Sequence, residues 1–398
     1  MTRISTDQAA QKTDLLAAVQ ALSARIAARG AEIEALQFLP QDLADDLARA
    51  GLYRMLTPAE YGGFECHVGT FVEVIELLAQ TDASAAWCAF ISCTSCVLAA
   101  YLQPSVARDL YGKPDLKAAG VFAPRGRAVR EVSHGVSGYR VSGRWSWGSA
   151  TKNADLIQGG CLVFDVDGKP EMLAGGGVRI QSLIFQRSQV THLDNWNTFG
   201  LCGSGSGEFE VKDAFVPEEH SACLMADKAI DKPLYKFPVF GLLGIGIGAV
   251  ASGIARTAIN ALTTLATDKT PQSSSKTLAM RAMTQQGVAR AEAKWRSSRA
   301  FMFEVIESAW AVAERTGEIS VSHRRDIRLA TTHAVNSAQD IINSMYQLGG
   351  GSSIFEQSPL QKCLRDISVV AQHLMVSDST YELTGRLFLG VDTDIAML

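Results

Sequence analysis

One histidine interrupts the amphipathic stretch PLQKCLRDISVVAQHLMV, which runs from residue 359 to residue 376. Ser358 and Pro359 suit the N-cap and first turn of a helix, because serine accepts a backbone hydrogen bond and proline needs no N–H partner there. The apolar residues that follow recur at helical spacing: Cys363, Ile367, Val370 and Leu374. His373 falls on the flank of this stripe. We expect it in a helix and titrating near neutral pH, with packing and proton transfer both open as its role.

The other motifs with chemical potential are weak. Cys93 and Cys96 form a CxxC spacing, but the second ligand pair of a zinc site is missing nearby. GIGIGA, residues 244–249, lacks the strand that precedes a dinucleotide-binding loop, so its glycines are expected to permit close helix packing. GSGSG, residues 203–207, lacks the spacing of a nucleophile elbow. The sequence predicts no metal site and eight free, buried cysteines.

Periodicity divides the chain into three parts that position these residues. Helical spacing runs to about residue 110, alternating and glycine-rich sequence follows, and helical spacing returns from residue 239. The predicted domains are 1–116, helical; 117–223, an antiparallel β-barrel or sandwich; and 224–398, a four-helix bundle with segments near 241–267, 276–316, 322–348 and 359–390. Asp167 and Gly168 predict a hairpin turn. The predicted fold is mostly α with a central β module.

Composition excludes several classes of function. The 398 residues are 47% hydrophobic and 20% charged with a net charge of −4, so nucleic-acid binding is not expected. The N-terminus lacks the apolar core of a signal peptide. Residues 237–255 are the one uncharged stretch considered for a membrane, and Pro238 and glycines lower its hydrophobicity. We expect a buried helix there, no membrane association and a cytoplasmic location.

Three stretches, in this order, resemble the acyl-CoA dehydrogenase fold. They are GYRVSGRWSWGSATKNADLI (138–157), DNWNTFGLCGSGSGEFEVKDAFVP (194–217) and YQLGGGSSIFEQSPLQKCLRDI (346–367). The resemblance covers nearly the whole chain, from about residue 31 onward. It implies a bound flavin, whose flat apolar ring with a polar rim suits an aromatic wall and few hydrogen bonds.

The resemblance also implies site residues. Trp147 and Ser149 hold the places of the family's aromatic and hydroxyl contacts to the flavin ring, and a hydroxyl can both donate and accept. Gly349 and Gly350 would let the backbone approach a phosphate or the ring, although capping a helix would also explain them. Filling the β core is the alternative for Trp147. Further cofactor contacts are expected by resemblance at four positions: Trp196, Ser204, Arg281 and Gln372.

The dehydrogenase pattern fails at one point. Dehydrogenases of this fold place a glutamate eight residues after the Arg-Asp pair, whereas here that position is Leu374, and Glu382 comes eight residues too late. The histidine beside Leu374 resembles a second branch, the oxygenase components of two-component flavin monooxygenases, and the tail HLMVSDSTYELTGRLFLGVDTDIAML looks most like its indole and indole-acetate group. By this resemblance His373 and Ser149 are the expected catalytic residues, and Trp87 and Ser92 contact substrate.

The resemblance thus implies an enzyme that binds reduced flavin, FADH2 or FMNH2, and O2. Such enzymes form a C4a-hydroperoxide and oxygenate an aromatic substrate, here favoured to be of the indole type. Expected partners are a separate NAD(P)H-dependent flavin reductase and further copies of the chain in a homotetramer. The alternatives are an acyl-CoA dehydrogenase or oxidase with tightly bound FAD, and a catalytically silent binding subunit.

Overall fold

The computed structural model describes residues 6–272 and 274–398. A helical N-terminal domain is followed by one seven-stranded sheet and then by a helical C-terminal domain. The predicted order of helices, sheet and helices is confirmed. The first five residues of the predicted N-terminal domain lie outside the described part of the chain.

The N-terminal domain surrounds one fully buried helix. Its six helices are α1 (Thr6–Ala28), α2 (Gly30–Leu36), α3 (Gln41–Arg49), α4 (Val68–Thr81), α5 (Ala83–Cys96) and α6 (Pro104–Tyr111). Every residue of α5 is buried, and its N-cap Asp82 accepts a hydrogen bond from the Ala85 N–H at 2.9 Å. Cys93 and Cys96 of α5 are free and buried, as are the other six cysteines, which confirms the predicted thiols.

The sheet is mixed, so the prediction of a purely antiparallel module is wrong. Its strands are β1 (Ala118–Ser133), β2 (Val136–Trp145), β3 (Leu156–Phe164), β4 (Ile180–Gln186), β5 (Thr191–Leu193), β6 (Glu208–Pro217) and β7 (Ser221–Ala222), in the spatial order β5-β6-β2-β1-β3-β4-β7. After β2 the chain crosses to the other side of β1, so β3 pairs with β1 in parallel. A parallel neighbour requires such a crossover, which alternation in the sequence cannot reveal. The turn predicted at Asp167 and Gly168 follows β3, where Gly168 has φ of 80°.

The core of the sheet is filled by Trp145 and not by Trp147. The Trp145 indole is fully buried, donates to the Gly160 carbonyl at 2.8 Å and stacks on Phe209 with ring centroids 5.1 Å apart. Trp147, two residues later, is 71% exposed. Because the chain leaves the strand between these residues, the alternative that Trp147 serves as core filling is excluded.

In the described residues of the C-terminal domain there are five α-helices, of which the last two divide one predicted segment. They are α7 (Val239–Asp268), α8 (Ala282–Thr316), α9 (Val321–Gly349), α10 (Pro359–Val370) and α11 (Ser379–Phe388). The prediction of a continuous segment at 359–390 is wrong, because α10 ends at Val370 and a short 3₁₀ turn, Leu374–Val376, precedes α11. Ser358 caps α10 as predicted, accepting from the Leu360 N–H at 3.3 Å.

Helix α7 of the C-terminal domain connects the two helical domains. It packs against α4 and α5 of the N-terminal domain and against α8, α9 and α10 of its own domain. A Cβ atom on Gly246 would lie 2.6 Å from the Phe90 ring, and one on Gly253 would lie 2.4 Å from the Glu76 carbonyl oxygen. The glycines of this helix therefore permit close packing, as predicted from the GIGIGA stretch.

Two helical segments in the described part of the chain are long and apolar enough to cross a membrane, one more than the sequence predicted. They are Ala83–Tyr101 and Val239–Asp268. The most apolar stretch of the first is 100% buried inside the protein, and that of the second is 89% buried. Their apolar surfaces therefore pack against other protein segments, as core helices do. Both segments belong to the core that joins the helical domains.

Candidate functional site

A strained turn follows β2 and exposes an aromatic ring. Trp147 and Ala150 both have left-handed backbones, with φ of 68° and 62°, a conformation that costs a non-glycine residue roughly 1–3 kcal/mol. The turn is held by backbone bonds from the Gly148 N–H to the Gly207 carbonyl at 2.9 Å and from the Ala150 N–H to the Ser204 carbonyl at 3.0 Å. The strain presents the Trp147 ring at the surface while Ser149 turns inward.

A chain of hydroxyl groups begins at Ser149. The indole N–H of Trp87, on α5, donates to Ser149 Oγ at 3.0 Å. Ser149 Oγ lies 2.6 Å from Ser206 Oγ, which lies 2.7 Å from Ser204 Oγ, and all three serines are buried. Ser204 is one of the cofactor contacts predicted from the sequence, whereas Ser206 is not. The alternation of glycine and serine in GSGSG was the available signal, since it directs two serines toward the same neighbourhood.

His373 lies beside this chain, outside any α-helix. Its ring centroid is 5.9 Å from that of Trp87. It is the N-cap of the 3₁₀ turn Leu374–Val376, and its Nδ1 accepts a hydrogen bond from the Met375 N–H at 3.2 Å. An Nδ1 that accepts a hydrogen bond carries no proton, so in the neutral ring Nε2 carries it. The prediction of His373 within the helix is wrong, because α10 has ended before it.

His373 does not titrate near neutral pH, contrary to the sequence prediction. Burial and, to a smaller extent, the positive charge of Arg328 together lower the pKa of this partly buried imidazole to about 4. Burial favours the uncharged form because the ring would lose hydration that the protein does not replace. At pH 7 the residue therefore offers Nε2–H as a hydrogen-bond donor.

A partly buried ionic cluster joins the three parts of the chain next to the serines. Lys362 Nζ lies 3.1 Å from Glu34, 3.5 Å from Asp82 and 3.1 Å from Asp366. Asp366 also accepts a hydrogen bond from the Leu201 N–H at 2.8 Å. Burial alone would lower the pKa of Lys362, but the three carboxylates outweigh it and raise that pKa. The Arg-Asp helix thus anchors the loop that carries Ser204.

Other predicted cofactor and substrate residues lie around this group at different depths. The Trp196 ring meets Trp147 edge-on at 6.1 Å, and its N–H donates to the Cys202 carbonyl at 3.1 Å. Gln372 is exposed next to His373. Ser92 is buried on α5, but it is five residues and so about 140° around the helix from Trp87. Ser92 therefore lies on a different face of α5.

Arg281, Gly349 and Gly350 lie at the other end of α7. Arg281 is exposed and is the N-cap residue before α8, and Lys269 Nζ, just after α7, donates to the Gly349 carbonyl at 2.7 Å. Phe90, which contacts Trp87 at 4.8 Å, packs at Gly246 near the start of α7. The 23 residues from Gly246 to Lys269 span about 35 Å of helix. Within one chain these residues are not brought to Ser149.

Family models match both helical domains of the chain. The acyl-CoA dehydrogenase N-terminal domain matches residues 10–106, and the acyl-CoA dehydrogenase C-terminal domain matches residues 245–378. Among curated proteins, the indole-3-acetate monooxygenase of Pseudomonas putida is 32% identical over 366 residues, covering 91% of this chain and 90% of that protein. HsaA of Mycobacterium tuberculosis, a flavin-dependent monooxygenase oxygenase subunit, is 25% identical over 88% of this chain and 89% of its own length.

Solved structures share the fold across their full length. XiaF from Streptomyces sp., in complex with FADH2 and glycerol, superposes with a TM-score of 0.89 at 24% identity, covering 99% of both chains. The 3-HSA hydroxylase of Rhodococcus sp. RHA1 gives a TM-score of 0.86 at 23% identity, covering 97% of this chain and 99% of that one.

Proposed function

Because the chain belongs to the acyl-CoA dehydrogenase family and, within it, is an oxygenase component of the two-component flavin-dependent monooxygenases, we propose that it oxygenates an indole-type aromatic substrate. As a member of a two-component system, it works with a separate flavin reductase. The observation that carries the proposed site is the contact of Trp87 with both Ser149 and His373. It unites an aromatic surface, a buried hydroxyl and a neutral imidazole in one place.

The residues present fit a flavin. Trp147 is a large apolar ring left 71% exposed by a strained turn, which suits stacking against a flat ligand. Ser149, two residues away, supplies a hydroxyl for the polar rim of such a ring. We therefore assign Trp147 and Ser149 to holding the flavin ring, with FADH2 and FMNH2 both open as the cofactor. When bound, a reduced flavin supplies the electrons that activate O2 for transfer to the substrate.

Ser149 can present either a hydrogen or a lone pair to a flavin nitrogen. Its oxygen has two lone pairs and one hydrogen, and the Trp87 N–H, which can only donate, occupies one lone pair. One lone pair and the hydrogen of Ser149 remain. Ser206 engages one of these two, and the other is left for a ligand. Reversal of the Ser149–Ser206–Ser204 hydrogen bonds therefore switches Ser149 from donor to acceptor, and the site can follow changes in protonation at the ring.

His373 acts as a donor through Nε2–H and not as a base. Its Nδ1 is occupied by the Met375 N–H, and its pKa is lowered to about 4. A neutral donor beside Trp87 can hold an oxygen atom of the substrate or of activated O2 in place by a hydrogen bond. The dehydrogenase alternative requires a glutamate as the base at this site. Glu382, the glutamate considered for that role, is exposed on α11.

We propose a homo-oligomer, a tetramer as the family resemblance implies. Arg281, Gly349 and Gly350 lie about 35 Å along α7 from the Trp87 end of the site. They can contact the same flavin only if a second copy of the chain brings them there.

The burial of both apolar helices within the core supports a cytoplasmic location.

The test of this function is oxygen transfer with reduced flavin supplied by a reductase. We expect oxygenated product from indole or indole-3-acetate, and product yields lower by about tenfold or more from phenols and thioethers, because one misfit in a pocket is worth roughly 1–3 kcal/mol. FAD and FMN are compared in parallel, and Trp147→Ala should weaken flavin binding without unfolding the protein. Complete conversion of O2 to H2O2 with every indole would refute the proposed substrate class.

A further inference from the structure

Arg328 is a buried cation without an acidic partner. It lies on α9, is 2% exposed, and forms no ion pair with any carboxylate in the described residues. Burial lowers its pKa to about 10, and its Nε has no hydrogen-bond partner. A charge held this way is costly, because carbonyl dipoles replace hydration only in part. The hydrogen bonds of the guanidinium show which segment of the chain this cation holds in place.

All bonds of the guanidinium go to the segment that follows His373. One terminal nitrogen donates to the Met375 carbonyl at 2.7 Å and to Thr380 Oγ1 at 3.2 Å. The other donates to the Met397 carbonyl and lies 3.8 Å from the Met375 sulfur. Met375 is the residue whose N–H donates to Nδ1 of His373. A single residue thus connects the guanidinium to the imidazole.

From this connection we propose that Arg328 is a positioning residue for the oxygenation reaction. By holding the Met375 backbone from its carbonyl side, it keeps the Met375 N–H directed at His373 Nδ1, and so keeps the proton of the imidazole on Nε2. The inference rests on the proposed function of His373. Without the clamp, the turn Leu374–Val376 loses its only charged anchor among the described contacts, and both tautomers of His373 become accessible.

The packing of α9 on α7 places the guanidinium where this contact can form. Gly244 of α7 lies beside the Arg328 side chain: a Cβ atom there would be in ordinary contact with Arg328 Cδ at 4.0 Å and in tight contact with Thr331 Oγ1 at 3.1 Å. The planar fork of arginine then reaches two carbonyls and a hydroxyl at once. A lysine has one nitrogen and cannot span these acceptors.

The experiment observes the imidazole directly, in the protein without flavin. Long-range ¹H–¹⁵N spectra separate protonated from unprotonated ring nitrogens, and the His373 signals among the seven histidines are identified by their loss in His373→Asn. We expect wild-type His373 at pH 7 to show an unprotonated Nδ1 and a protonated Nε2. In Arg328→Gln, both ¹⁵N shifts should move toward the average of two tautomers, with Arg328→Lys in between.

Activity provides the second readout. In Arg328→Gln at saturating flavin, the ratio of product to H2O2 should fall by about tenfold or more, since a misplaced group near the reacting atoms can cost up to about 10²-fold. The matched control is Arg54→Gln. Arg54 is also a buried arginine with an unpartnered Nε, and it donates to the Tyr61 and Gly62 carbonyls in the N-terminal domain. Its loss should lower the melting temperature while leaving the His373 ring and the product ratio unchanged.

A folded Arg328→Gln variant with unchanged His373 shifts overturns the inference. Where that variant does not fold, Thr380→Val decides in its place, because it removes one acceptor of the same clamp and should shift the His373 ring by a smaller amount; unchanged shifts there also overturn the inference. The proposed role of His373 as a donor in the reaction fails separately, if His373→Asn retains full activity. An inactive His373→Asn together with an unresponsive ring in the Arg328 variants refutes this inference alone.

Discussion

His67 and His373 each begin a helical turn by accepting a backbone N–H at Nδ1, His67 from Gly69 at 3.0 Å and His373 from Met375 at 3.2 Å. In both, burial lowers the pKa of the imidazole to about 4. Both rings are therefore neutral at pH 7 and carry their proton on Nε2. The local device is the same, and histidine is used in it as an N-cap acceptor.

Each imidazole also contacts a tryptophan, and the partner of that tryptophan differs. His67 lies 4.2 Å from Trp310, whose N–H donates to Glu314 at 2.9 Å. His373 lies 5.9 Å from Trp87, whose N–H donates to Ser149. In one region the tryptophan joins a carboxylate on its own helix; in the other it joins a hydroxyl chain from the β domain.

The fate of Nε2 completes the contrast. In His67 this nitrogen is buried without a hydrogen-bond partner, 3.8 Å from Glu307. In the partly buried His373 it is the ring nitrogen left for a ligand. The pKa and the tautomer are alike in both histidines. A neutral histidine that caps a turn therefore becomes chemically useful only when its Nε2–H is accessible to a ligand.

The largest expected effect comes from replacing each histidine with asparagine. Asparagine also accepts at an N-cap, so the turn is retained at both positions while the second ring nitrogen is lost. We expect His373→Asn to lower product formation by about 10²-fold or more, the range for loss of one hydrogen-bond donor aimed at developing charge. His67→Asn should leave it nearly unchanged. Single-turnover product yield at saturating flavin measures both, and equal effects would remove the distinction between the two sites.

The tryptophan partners give a smaller effect. Ser149→Ala removes a neutral hydrogen bond of about 0.5–1.5 kcal/mol, so loss of activated oxygen as H2O2 should quicken severalfold. Glu314→Ala removes the corresponding partner of Trp310 and should not change coupling of O2 use to product. Peroxide release is assayed per flavin oxidised, with circular dichroism to verify folding. Unchanged coupling in Ser149→Ala would reassign the serine to packing of the β domain.

The smallest effect is on stability as a function of pH. The folded-state pKa of both histidines, about 4, lies below the ordinary value of 6.5, so between these values the unfolded chain binds more protons than the folded one. Their stabilising contribution is therefore present above pH 6.5 and is lost as the pH falls toward 4, with a slope of at most about 1.4 kcal/mol per pH unit for each histidine.

Urea unfolding between pH 7 and pH 4.5 measures this slope. Each asparagine variant should flatten it, and the double variant should flatten it most. A slope steeper in the variants than in the wild type would contradict the lowered pKa values.

Much of the fold follows from local pattern. Helical and alternating periodicities, which depend only on residues close in sequence, predicted the order of helices, sheet and helices, and Ser358 and Pro359 predicted the start of α10. The apolar run around Cys93 and Cys96 predicted that they pack like small hydrophobic residues, and both are buried. Such features need no knowledge of distant contacts.

The chemistry of the site was decided by tertiary contacts. The helix was predicted to continue through His373, but it ends at Val370, and the turn that follows is bonded by Arg328 from 47 residues away in sequence. The bond from Trp87 to Ser149 spans 62 residues, and it brings a residue expected to touch substrate onto the hydroxyl chain. The sequence by itself determined which side chains were available. Burial, which lowers the His373 pKa, and long-range hydrogen bonds, which select its tautomer, exist only in the folded chain.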